Sequence, residues 1–167
     1  MKLLDVNGLS KSFGGVAALR QVQGHSVAGE TLGMIGPNGS GKTTFVHIVS
    51  GHVRPDAGSL TFDGVDITGK NPHQLAAIGL CRTYQAVRVL SSLSTQQNID
   101  NARLLLSHRG LDQAELSELL EWLKLDHVLN KGAGSLTLFE QRRLELLMRL
   151  VLKPKLIMLD EPVGGLA

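Results

Sequence analysis

Residues 31–50 read TLGMIGPNGSGKTTFVHIVS and place the pattern GxxxxGK(S/T) between an apolar run of strand character and one of helical character. Gly36, Gly39 and Gly41 lack side chains, so the backbone can wrap closely around an oxyanion. It can then turn its N–H groups inward at the start of a helix, where the helix dipole also favours negative charge. Pro37, Asn38 and Ser40 complete the loop. Lys42 is placed to reach the β and γ phosphates of a nucleotide, the Thr43 hydroxyl to ligate Mg²⁺, and Thr44 follows in the first helical turn. An ordinary glycine-rich turn would not require the flanking strand and helix, so the stretch predicts binding of a nucleoside triphosphate with Mg²⁺.

A second anchor is LIMLDE at 156–161, an apolar run ending in two carboxylates. A buried parallel strand reads as a continuous hydrophobic segment, and its C-terminal end faces the crevice where open α/β sheets bind ligands. There Asp160 would hold Mg²⁺ through water. Glu161, one residue on, would orient or deprotonate the attacking water, which calls for a carboxylate near the γ phosphate.

Between these anchors the chain resembles the ATP-binding subunits of ABC transporters. The opening LLDVNGLSKSFGG with VAGETLGMIGPNGSGKTT looks like the start of such a domain, and RRLELLMRLVLKPKLIMLDEP like its signature helix running into the second anchor. GHVRPDAGSLTFDGVDITGKNPHQLAAIGLCRTYQAVRVL is similar to the subunits that power branched-chain amino acid importers, and urea and amide importers carry closely similar ATPases. The resemblance implies that Phe13 stacks on adenine and that Gln85, in RTYQAVR, senses Mg²⁺ and the γ phosphate. It also implies a dimer sandwiching two ATP molecules, membrane permease subunits as partners, and an external solute-binding protein further along. The expected location is the cytoplasmic face of the plasma membrane.

Two departures from the family stand out. Its signature is LSxGQ, and counting back from Asp160 without a gap places Leu136, Thr137, Leu138, Phe139 and Glu140 there. Thr137 can replace the serine hydroxyl, but Phe139 stands where the family has a glycine that lets the helix N-terminus approach the opposite subunit's γ phosphate. The family also continues beyond EPVGGLA with further strands and a histidine that contacts the γ phosphate, and here no histidine follows His127. The sequence therefore reads as a C-terminally incomplete cassette or as a degenerate copy that binds nucleotide with little turnover. A soluble ABC-type protein of DNA repair or translation would need different insertions and a second cassette.

A net charge of +2 gives little reason to expect nucleic acid. There is no run of about 18 apolar residues to span a membrane and no secretory leader pattern. Cys81 is the one cysteine, which excludes an internal disulfide and fits a reducing compartment; in LCRTY it reads as a small core residue. The six histidines lack metal-ligand spacing.

The resulting expectation is an α/β P-loop core with an antiparallel β subdomain and an inserted helical subdomain. Residues 1–85 hold the antiparallel sheet and phosphate loop, 86–152 the helices, and 153–167 the second anchor. Alternation over 3–29 predicts antiparallel strands, to which 59–62 and 65–67 add a hairpin across Asp63 and Gly64. Helices are expected over 42–50, ended by Gly51, and from Asn71 and Pro72 to Gly79. The strand-like LCRTY then delivers Gln85. In the helical part, Asp112 with Glu115 resembles a capping box, and Leu116, Leu119, Leu120 and Leu123 share one face with Trp122 off its centre. A helix over 139–152 ends before Pro154, with Arg142, Arg143 and Arg149 read as a solvated face.

Overall fold

The computed structural model describes residues 1–84, 86–104 and 111–160. It contains two compact units, Met1–Leu80 and Cys81–Ala167.

The first unit is built on a four-stranded sheet in the order β2-β1-β3-β4. Strands β1 (Lys2–Phe13) and β2 (Val16–Val27) pair antiparallel from Lys2 opposite Val27 to Phe13 opposite Val16. Gly14 and Gly15 join them, both at positive φ, the backbone twist that suits a two-residue hairpin. Strand β3 (Ala57–Phe62) lies antiparallel to β1, and β4 (Val65–Asp66) returns across Asp63 and Gly64, also both at positive φ. The hairpin expected across Asp63 and Gly64 is present, with its second strand ending at Asp66. Leu4, Val6, Leu9, Leu60, Phe62, Ile67 and Leu75 form the core with Ile48 and Val49 of α1 (Lys42–Val49).

Local stop and start signals act as the sequence leads one to expect. Gly51, at φ 77°, ends α1; a Cβ there would lie 2.4 Å from the Lys70 carbonyl oxygen, so only glycine fits. Asn71 caps α2 (Pro72–Ala77) in a reciprocal capping box with Gln74.

One expectation fails in this unit. The apolar run before the phosphate loop forms no strand, and Leu32, Met34 and Ile35 are exposed. A strand exists through its ladder of inter-strand hydrogen bonds, and none of the described residues pairs with 31–35. Hydrophobic character without a partner edge does not make a strand.

In the second unit β5 (Leu80–Arg82) pairs with β6 (Leu156–Met158), and the bond from Thr83 N–H to the Met158 carbonyl, 3.0 Å, carries the pairing one residue further. Three helices pack around one core, α3 (Thr95–Leu104), α4 (Gln113–Trp122) and α5 (Leu138–Leu150). Leu116, Leu120 and Leu123 are buried there with Ile99, Leu144 and Leu147, and Leu119 packs against them, as the leucine spacing requires. Cys81 is buried in the same core, and burial pushes its thiol up from its ordinary pKa. Asp112 and Glu115 close the expected capping box, whereas Trp122 is exposed. The buried Asn98 amide accepts from Leu90 N–H and donates to the Leu90 and Ser94 carbonyls, fixing the loop that leads into α3.

Candidate functional site

The glycine-rich loop turns directly into α1. Gly41, at φ 89°, occupies the N-cap position, and a Cβ on it would lie 2.5 Å from the Ala18 carbonyl oxygen, so the loop can press against β2 only with glycine here. No side chain caps α1, which leaves the N–H groups of its first turn to a ligand. The Lys42 ammonium donates to the carbonyls of Gly36, at 2.7 Å, and Pro37, at 2.9 Å. Ser40 N–H donates to the Pro37 carbonyl, 3.2 Å, so Gly36, Pro37, Asn38, Gly39 and Ser40 form one closed turn over the helix. Thr43 is exposed and Thr44 half-buried in the first turn of α1. Phe13 ends β1 half-exposed, with the Lys11 ammonium 5.4 Å from its ring centre; it is not a core residue.

Asp160 follows β6, and its Oδ2 lies 3.1 Å from the guanidinium of Arg82, whose side chain is only 6% exposed. Asp160 N–H also reaches the Thr83 hydroxyl, at 3.4 Å. Gln85 and Glu161, the expected phosphate sensor and catalytic carboxylate, lie outside the described residues.

Residues 136–140 straddle the N-terminus of α5. Thr137 is the N-cap: its hydroxyl accepts from Glu140 N–H, while its own N–H and hydroxyl donate to the Glu140 carboxylate at 2.7 and 2.8 Å. Those bonds hold the Glu140 carboxyl below its ordinary range. Leu136 is buried, while Leu138 and Phe139 are about half-exposed on the first turn, and the Arg143 guanidinium stacks 3.9 Å over the Phe139 ring. Gln141 reaches back to the Ala133 and Leu136 carbonyls and fixes the entry to the helix.

The arginines of α5 correct the sequence reading. Arg142 donates to the Tyr84 carbonyl, 2.9 Å, and Arg149 to the Arg82 carbonyl, 3.1 Å, so this face is spent on backbone rather than solvated. Glu145, between them on the same face, is buried and its Oε1 has no hydrogen-bond partner among the described residues. Burial pushes its carboxyl up from its ordinary value, against the opposing pull of Arg149, the Tyr84 N–H, Arg142 and the Arg88 N–H. A carboxyl raised in the folded state contributes its full stability below the unfolded pKa of about 4.3 and loses it as pH rises through the folded value. Glu145→Gln is therefore expected to gain stability relative to the parent between pH 4.5 and 7, read by urea unfolding at both values; parallel pH profiles would exclude the burial effect.

A sequence profile of the ABC transporter family matches residues 19–164, spanning the phosphate loop, the α5 N-terminus and Asp160. The chain belongs to the ABC transporter family. It is an ABC-type P-loop ATPase domain of the class coupled to transport. It is 37% identical to a probable branched-chain amino acid transport ATP-binding protein, LivG, of Archaeoglobus fulgidus, over 99% of this chain and 69% of that one. It is 33% identical to the high-affinity branched-chain amino acid transport ATP-binding protein BraF of Pseudomonas aeruginosa, over 98% of this chain and 71% of the relative. The match to the archaeal protein runs over 178 positions, more than the 167 residues here, so that relative carries residues inside the match that this chain lacks. Among solved structures, an ATP-binding cassette of an ABC transporter superposes with a TM-score of 0.84 at 30% identity, covering 100% of this chain and 72% of the cassette. The ADP conformation of such a cassette gives 0.83 at 30% identity, covering 100% and 71%.

Arg82 and Glu145 are buried residues that sequence reasoning passed over, and Arg149 is one that it read as solvated. The signal available was charge inside two largely apolar patterns, Arg82 in LCRTY and Glu145 with Arg149 in LELLMRL. Buried charges are rare unless paired, so such residues invite a search for partners.

Proposed function

We propose that the chain is the ATP-binding and ATP-hydrolysing motor subunit of an ABC importer, with branched-chain amino acids as the transported class. The observation that carries this reading is the loop of 36–42 closing on the uncapped N-terminus of α1 with the Lys42 ammonium folded into it. The amino acid class draws its support from what the relatives in Archaeoglobus fulgidus and Pseudomonas aeruginosa are named to transport.

In this reading Phe13 stacks on the adenine, and the amides of 36–44 with Lys42 take the phosphates. Thr43 and Asp160 are the oxygen donors for Mg²⁺, with Gln85 as a further ligand. Among the described residues no group of three His, Cys, Asp or Glu side chains able to hold a metal occurs, and Mg²⁺ needs only one or two protein oxygens because it takes the others from phosphate and water. Bound Mg²⁺ would neutralise phosphate charge. Lys42 and the loop amides stabilise the transferred phosphoryl group, and Glu161 positions the water. A second copy, permease subunits and, indirectly, an external solute-binding protein complete the proposed assembly, which works at the inner membrane face. No described helix is long and apolar enough to cross a membrane. Reconstituted with its permease, ATP turnover is expected to rise with solute-binding protein loaded with leucine; stimulation by urea-loaded protein alone would reassign the substrate.

A second reading, nucleotide binding with little turnover, is favoured by the first turn of α5. The Phe139 ring stands half-exposed on the turn that, in this reading, brings backbone N–H groups to the partner's γ phosphate, and the Glu140 carboxylate already engages Thr137. Loss of one preorganised donor costs about 3 to 4 kcal/mol in other enzymes. With Glu161→Gln to retain ATP, in a chain carried to the length of its relatives, Phe139→Gly is expected to increase the ATP-dependent dimer fraction in sedimentation. If the Phe139 protein dimerises as readily as its glycine variant, the ring is no obstacle.

A further inference from the structure

The Arg82 side chain is buried at the end of β5, and among its contacts is an ion pair with Asp160. Its Nε donates to the Thr83 carbonyl, 3.1 Å, and its guanidinium lies 4.8 Å from the Tyr84 ring centre and 3.1 Å from Asp160 Oδ2. Its carbonyl takes the bond from Arg149 of α5, so the backbone from which the guanidinium projects is anchored to the signature helix. This geometry holds a counter-charge beside the Asp160 carboxylate. Asp160 is itself only 19% exposed, so solvent screens the pair weakly.

That arrangement conflicts with a carboxylate standing ready for a divalent cation. A guanidinium already bonded to one carboxylate oxygen must either release it or remain beside the arriving metal, and both oppose metal binding. At the effective dielectric of a partly buried site, a fixed positive charge beside an arriving cation is enough to change its affinity by roughly tenfold or more. The ordinary structural role, a buried arginine satisfied by a nearby acid, predicts no such effect on metal affinity.

We propose that Arg82 competes with Mg²⁺ for Asp160, making this residue the one that sets how much the metal adds to nucleotide affinity. The inference rests on the reading of Asp160 as the metal-side carboxylate. Arg82 acts through Asp160 and is a positioning residue. It keeps the carboxylate neutralised and oriented until nucleotide brings the cation, and Arg149 ties that state to α5.

The test is the ratio of ATP affinities measured in MgCl₂ and in EDTA by equilibrium titration of the 167-residue chain, with folding checked by circular dichroism. Arg82→Met removes the charge while keeping an apolar stem of similar reach, and is expected to raise the Mg²⁺-dependent gain roughly tenfold or more while leaving affinity in EDTA unchanged. Arg82→Lys, which keeps a cation, is expected to stay within about threefold of the parent. If methionine unfolds the chain, Arg82→Gln is read in the same way, its amide replacing the donor to Thr83. Asp160→Asn is expected to abolish the gain in either background, because the two residues act as a unit. An unchanged or smaller Mg²⁺ gain in the charge-removing variant, with Asp160→Asn losing it, overturns the competition and leaves Asp160 as the metal carboxylate. Retention of the full gain in Asp160→Asn refutes the reading of Asp160 itself.

Discussion

Glu161→Gln, in the chain carried to the length of its relatives, is expected to keep ATP bound while turnover falls by about a hundredfold or more, the usual worth of a positioned acid or base. The expectation rests on adjacency. In sequence Glu161 directly follows Asp160, which Arg82 and Thr83 contact at the end of β6. Glutamine retains the shape and a hydrogen-bonding oxygen but cannot take a proton, so nucleotide affinity should survive when chemistry does not. The measurement is phosphate release alongside equilibrium ATP binding on the same preparation. Turnover equal to the parent's would move the role to another group, and a parallel loss of binding would make Glu161 a structural residue instead.

Much of the fold was legible because its signals are local. Asp63 with Gly64 decides a turn and Asn71 with Pro72 a helix start within a few residues, and both appear as read. The phosphate loop is legible for the same reason: closing it requires Gly41 and Lys42, both inside the motif. Contacts between distant parts of the chain were not legible. The run at 31–35 has the composition of a strand, but pairing depends on another segment's edge and not on its own residues. Arg142 and Arg149 looked solvated because helical periodicity assigns a face by hydrophobicity alone, while their acceptors lie 58 and 67 residues away along the chain. Glu145 interrupts the apolar run LELLMRL, but the run does not say which distant groups a buried carboxyl there would meet.

Lys42→Ala is expected to weaken ATP binding by roughly tenfold to a hundredfold. A charge-assisted hydrogen bond contributes about 1.5 to 3 kcal/mol, which corresponds to that range of affinity. In this chain the ammonium already donates to the Gly36 and Pro37 carbonyls, so a phosphate must offer better acceptors than two neutral carbonyls for the lysine to turn toward it. Anionic phosphate oxygens meet that condition, because they add attraction between opposite charges to a bond that the ammonium makes to a carbonyl only through its dipole. The same two carbonyl bonds make a competing explanation testable. If Lys42 only kept the loop closed, Lys42→Arg, whose guanidinium can still donate to carbonyls, would restore the loop and with it full affinity. If the lysine binds phosphate as a compact charge at the start of α1, the bulkier planar group should recover only part of the loss. Titrating ATP against the parent chain and both variants separates the cases. Equal affinity of the parent and Lys42→Ala would remove the phosphate role altogether, since neither the helix N-terminus nor the glycine turn would then need the lysine to hold the nucleotide.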